Sequence, residues 1–144
     1  MANFAYTKFK FEIGDGLTMS STDFRVILVM TTSTAGTEED TDFISGFTTL
    51  DEYDGANYAR DDIGTISWTR DNPNDLAFLD GDDSVFTNLG AGTTNCIGAI
   101  VYVHVTNDAD SWPAFWVDTG GFPFNGTGSN NTIQWNSGGI AQVT

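Results

Sequence analysis

Ile97-Gly98-Ala99-Ile100-Val101-Tyr102-Val103-His104-Val105 is the stretch on which the fold turns. Ile97, Ala99, Val101, Val103 and Val105 alternate with Gly98, Ile100, Tyr102 and His104, the period of a strand. Both sets are largely apolar, so this strand is expected at the centre of a sheet. Val26-Ile27-Leu28-Val29-Met30, within residues 23–32, is a second run of the same character.

Outward from these runs the pattern is one of short strands and tight turns. Ile66 and Trp68 alternate with Thr65, Ser67 and Thr69, which predicts a half-buried strand with Ile66 and Trp68 inward. Asp71-Asn72-Pro73-Asn74 then forms a turn, because proline fixes φ and Asp and Asn bond back to the backbone. Residues 76–79 form the return strand, Asp80-Gly81-Asp82-Asp83 a second turn, and residues 85–89 a further strand. Strands are also expected at 113–118 and 132–136, the latter with Ile133 and Trp135 inward, and a weak one at 57–60. Residues 33–42 read as an acidic loop, 43–53 as holding one short helical turn, and 120–131 as a loop rich in Gly and Asn.

Residues 1–16 form an N-terminal arm with two readings. Phe9, Phe11 and Ile13 alternate with Lys8, Lys10 and Glu12 as in a strand, while Phe4, Ala5, Phe9 and Ile13 share one helical face. Gly14 and Gly16 stop either element. The expectation is one all-β domain over residues 1–144 with minor helix, a compact antiparallel β-sandwich or barrel.

An apolar content of 40% with 13% aromatics supports a packed core in a chain of 144 residues. The charge is lopsided: 20 Asp and Glu face 5 Lys and Arg, a net charge of −15. The Lys and Arg residues are Lys8, Lys10, Arg25, Arg60 and Arg70, so neither type occurs after residue 70. Such a chain is a poor partner for nucleic acid and anionic membranes, and suits a basic protein surface, divalent cations or water. The lone Cys96 excludes an intrachain disulfide and a thiolate zinc cluster, and it reads as a small buried hydrophobe. The longest apolar run, 97–103, is too short to span a membrane. Lys8, Lys10 and Glu12 interrupt any signal-like stretch, so a soluble product made in the cytoplasm is expected.

Candidate chemistry is sparse. His104 is the only histidine, and nothing near it in sequence resembles a nucleophile elbow; a structural role is expected. The acidic turns at Asp71, Asp75, Asp80, Asp82 and Asp83 supply oxygens of the kind calcium takes, but their spacing is not that of an EF-hand, and hydrogen-bonded hairpin turns are the expected reading. Gly90-Ala91-Gly92 and Gly126-Thr127-Gly128 lack the Lys-Ser/Thr of a phosphate loop. No catalytic residue, metal or cofactor is assigned, and no enzymatic activity is expected. Trp112, before Pro113 at a loop edge, is the tryptophan expected to be exposed, available to a sugar or a protein. The arm residues Phe4, Tyr6, Lys8, Phe9 and Lys10 combine aromatics and cations in the manner of an interface centre, or else cover one end of the core.

The order of these segments resembles a family of small virion structural proteins of tailed bacteriophages. The resemblance is carried by the opening Met1-Ala2-Asn3 with Phe9-Lys10, by Thr22-Asp23-Phe24-Arg25-Val26-Ile27-Leu28-Val29, and by Asn74-Asp75-Leu76-Ala77-Phe78 leading to Asp80-Gly81-Asp82-Asp83. Gly98-Ala99-Ile100-Val101-Tyr102, Val117-Asp118-Thr119-Gly120, Thr132-Ile133-Gln134-Trp135-Asn136 and Gly139-Ile140 complete it. It implies a capsid decoration (cement) protein on the virion surface, bound to the major capsid protein and self-associated as a homotrimer. Two rival roles are a tail or collar protein and a carbohydrate-binding β-module using Trp112 and the 120–131 loop.

Overall fold

The computed structural model describes residues 3–135 and 139–143. Met1, Ala2 and Asn136, which belong to the segments carrying the resemblance, lie outside the described residues. The strands are β1 (Phe4–Ala5), β2 (Phe24–Met30), β3 (Asp61–Asp62), β4 (Ser67–Asp71), β5 (Leu76–Asp80), β6 (Ser84–Leu89), β7 (Cys96–Val103), β8 (Trp112–Val117), β9 (Ser129–Ile133) and β10 (Ala141–Val143). One α-helix, α1 (Thr7–Gly14), lies in the arm. The fold is all-β with a minor helix, built from packed antiparallel sheets in a sandwich-like arrangement.

The central sheet has the order β1-β8-β7-β2-β3. β7 and β2, the two runs singled out above, pair through its middle, with Val26 opposite Val101 and Ile27 opposite Ile100. Each is apolar on both sides because each side meets a different cover. Val26, Leu28, Ala99 and Val101 face a core closed by Phe9 of α1, Leu79 of β5, Phe86 and Leu89 of β6, and Ile133 of β9. Ile27, Val29, Ile100 and Tyr102 face a second core closed by Ala35, Ile44 and Phe47. That second cover is irregular chain between β2 and β3, holding only a 3₁₀ turn at Ile44–Gly46. Its backbone is fixed by bonds such as Thr34 N–H to Thr49 O (2.9 Å) and Ile44 N–H to Ser111 O (2.9 Å). Pro113 sits where the β7–β8 register shifts, a place that tolerates a missing donor.

A smaller sheet, β10-β5-β4, and the pair β6-β9 complete the other side. Several expectations need correction here. The strand at 57–60 is absent; the edge strand is β3, pairing Asp62 with Arg25. β7 ends at Val103, so Val105 is 56% exposed and its N–H bonds Ser111 Oγ. The strand expected at 132–136 lies earlier, at Ser129–Ile133, and Trp135 follows it with its indole N–H on Asp82 O. β4 carries Trp68 at 37% exposure, not inward, because that strand is the edge of a small sheet that overhangs the core.

The arm is a strand followed by a helix. Tyr6 N–H bonds Ala114 O, and α1 then runs to Gly14. Gly16, at φ +100°, turns the chain away in a conformation that glycine adopts without strain.

Cys96 is fully buried, and burial pushes its thiol up to about 12, as befits a small hydrophobe.

Candidate docking surface

The arm divides into a buried half and an exposed half. Tyr6 is fully buried; its hydroxyl donates to Ala35 O at 2.8 Å, and its ring packs edge-on against Phe4 and Phe47. Burial, with Glu38 and Glu39 nearby, raises the pKa of this phenol, which stays neutral. Phe9 is buried against Phe115 (4.3 Å between centroids), Phe24 and Trp112. Trp112 is itself only 8% exposed. Its expected exposure is therefore corrected: it faces Phe9 beneath the helix rather than solvent. Phe4 is half-buried. Of the residues proposed for contact, Tyr6, Phe9 and Trp112 belong to the core.

What remains outside is an aromatic patch about Lys8. Lys8 reaches Glu12 at 2.7 Å and lies 5.7 Å from the Phe11 ring centroid and 5.9 Å from that of Phe43. Phe11 is 61% exposed and Phe43 41% exposed. Lys10 is exposed and makes no ion pair among the described residues. Positions 8, 11 and 12 stack on one helical face, while 9 and 13 turn toward the core. Phe11 and Phe43 were missed by sequence reading. The helical reading of the arm placed Phe11 off the face of Phe9 and Ile13, and that was the available signal. Phe43 had none, since its approach to Lys8 depends on the course of the covering loop.

The other candidates are accounted for by internal bonds. His104 follows β7, its N–H on Asp23 O and its ring edge-on to Tyr102. Asp71 accepts from the Asn74 amide (2.7 Å), Asp82 from the Thr65 hydroxyl (2.8 Å) and Asp83 from Trp135 N–H (3.0 Å). Among the described residues no group of His, Cys, Asp or Glu is gathered as a metal site. The cavity beside the 120–131 loop, lined by Phe122, Phe124 and Ile133, holds about 90 Å³, below the few hundred Å³ typical of ligand pockets.

The glycine loops have a structural purpose that sequence reading did not supply. The Tyr53 hydroxyl lies at the centre of three loops, accepting from Gly92 N–H and Gly126 N–H (both 2.8 Å) and standing 2.9 Å from Gly90 O. A Cβ on Gly55 or on Gly126 would lie 2.2 Å from Gly90 O, so these backbones meet only because side chains are absent. Asn125 shares the junction, its Oδ1 accepting from Gly92 N–H at 2.7 Å.

Arg60 forms the principal charged cluster. It bonds Glu52 (2.7 Å) and Asp108 (2.5 Å) and lies over the Tyr102 ring. The Arg60 hydrogen bonds hold the Asp108 carboxyl below the usual range. No helix among the described residues is long and apolar enough to cross a membrane. No family model, curated protein or solved structure matches this chain.

Proposed function

We propose that this chain is a structural component of a tailed-bacteriophage virion, a decoration (cement) protein that binds the outer head surface and strengthens the shell. The observation that carries the reading is the pair of exposed aromatics Phe11 and Phe43 gathered about Lys8, with the exposed Lys10 on the same helix of a chain of net charge −15. Aromatics are enriched at interface centres, and polar and charged residues form the rim. A small domain bound across a seam between shell subunits adds stability by mass action, since it binds the assembled state alone. The acidic remainder keeps decorated particles apart and steers the domain toward basic seams. The order of sequence segments described above supports the same reading.

Deleting the arm is a poor test, because Tyr6 and Phe9 are core residues. Surface substitution is better. Purified expanded heads lacking the protein are mixed with the wild-type chain and with the double variant Lys10→Glu, Phe11→Ser, and bound protein is measured by co-sedimentation. Saturable binding of the wild type, weakened at least about tenfold in the variant, is expected for loss of an interface anchor. Equal binding by both removes the patch from the account.

A further inference from the structure

We propose that β4 is a self-pairing edge through which two copies of this chain join their small sheets into one. Among the described residues, β4 pairs with β5 on one side and with no strand on the other. Ser67, Trp68, Thr69 and Arg70 are all exposed, and none of them makes a backbone hydrogen bond outside the sheet. The 3₁₀ turn at Met19–Ser21 approaches β4 without bonding to its backbone. An exposed strand edge with free N–H and C=O groups is a template for another strand. The edges of the central sheet differ: β1 and β3 have 2 residues each, too short to serve.

The occupant is a second copy because the strand complements itself. An antiparallel pair centred on Thr69 sets Ser67 opposite Asp71 of the second copy, Thr69 opposite Thr69, and Trp68 opposite Arg70. Trp68 and Arg70 share one face of β4, so two indole–guanidinium pairs form side by side on that face. On the other face, hydroxyls meet carboxylates and each other. Arg70 is free for this role. Lys8, Arg25 and Arg60 each have an acidic partner, whereas Arg70 has none among the described residues despite the excess of acid. Trp68 lines an open cavity of about 420 Å³ with Ile13, Leu17, Met19 and Ser20, and the paired strand closes part of it. The resulting sheet runs β10-β5-β4 and back through the second copy. This is a twofold assembly, whereas the resemblance implies a threefold one, and it holds whether or not the chain sits on a virion.

Two measurements test it. Sedimentation velocity across a wide concentration range should show reversible dimers for the wild type, with the dissociation constant raised at least about tenfold by Arg70→Glu. Mild oxidation of Thr69→Cys should give a disulfide-linked dimer, since residues directly opposite in antiparallel strands lie within disulfide reach, while Val85→Cys, exposed elsewhere, should not. Cys96 is buried and does not compete. A wild type that stays monomeric, a dimer insensitive to Arg70→Glu, or equal cross-linking at positions 69 and 85 would each overturn the proposal.

Discussion

The central sheet and the β4–β5 hairpin use the same backbone geometry to opposite ends. In β2 and β7 nearly every side chain is buried, both neighbours are strands, and covers lie on both faces. In β4 most side chains are exposed and, among the described residues, one edge has no strand. The contrast separates what stabilises this molecule from what it offers to others. Substitutions in the first region should cost folding free energy. Substitutions in the second should change association and leave folding nearly untouched.

The largest expected effect tests whether the arm belongs with the central sheet. Phe9→Ala removes a buried ring that touches Phe115, Phe24 and Trp112 and should cost about 3–5 kcal/mol in urea unfolding. A loss under about 1 kcal/mol, the range of ordinary surface changes, would detach the helix from the core. Next comes the loop junction. Tyr53→Phe leaves the Gly126 N–H without its acceptor and removes one of the two acceptors of the Gly92 N–H, Asn125 Oδ1 being the other; it should cost about 1–3 kcal/mol. An unchanged midpoint would mean that the loops are held without it.

Acid sharpens the comparison further. Hydrogen bonds from Arg60 depress the Asp108 carboxyl, and bonds from Thr48 and Thr34 depress that of Glu38. A carboxyl whose folded pKa is lowered stabilises the fold above its unfolded value, about 4, and that contribution is lost as pH falls below it. Burial raises the Asp61 carboxyl, which works in the opposite direction. Thermal midpoints should therefore fall on acidification below about pH 4, and Asp108→Asn should flatten that fall. An identical acid slope in the variant would remove Asp108 from the linkage. The smallest effect is on the hairpin: Arg70→Glu should change monomer stability by less than about 0.5 kcal/mol. A larger loss would mean that β4 supports the core after all.

The legibility of the sequence follows the same division. β2 and β7 were visible because burial on both faces leaves a continuous apolar run, and the Pro73 turn was visible because its residues act locally. Trp68 was misplaced because alternation gives two faces without saying which is covered. Trp112 was misplaced because Phe9, the residue that covers it, is 103 positions away. The second cover, with Ala35, Ile44 and Phe47, has no periodicity, since irregular chain places its apolar residues by tertiary contact alone. Of the candidate surface, Lys8 and Lys10 were legible from charge. Phe11 and Phe43 required the helix and the loop to be built first.

We propose that this acidic β domain acts through the surfaces it joins, on the head of a virion. Its most direct test is the copy number and position of the chain in purified particles, by quantitative protein stain and electron microscopy. The account predicts many copies distributed over the head. Absence from particles, or a few copies confined to one vertex, would contradict it.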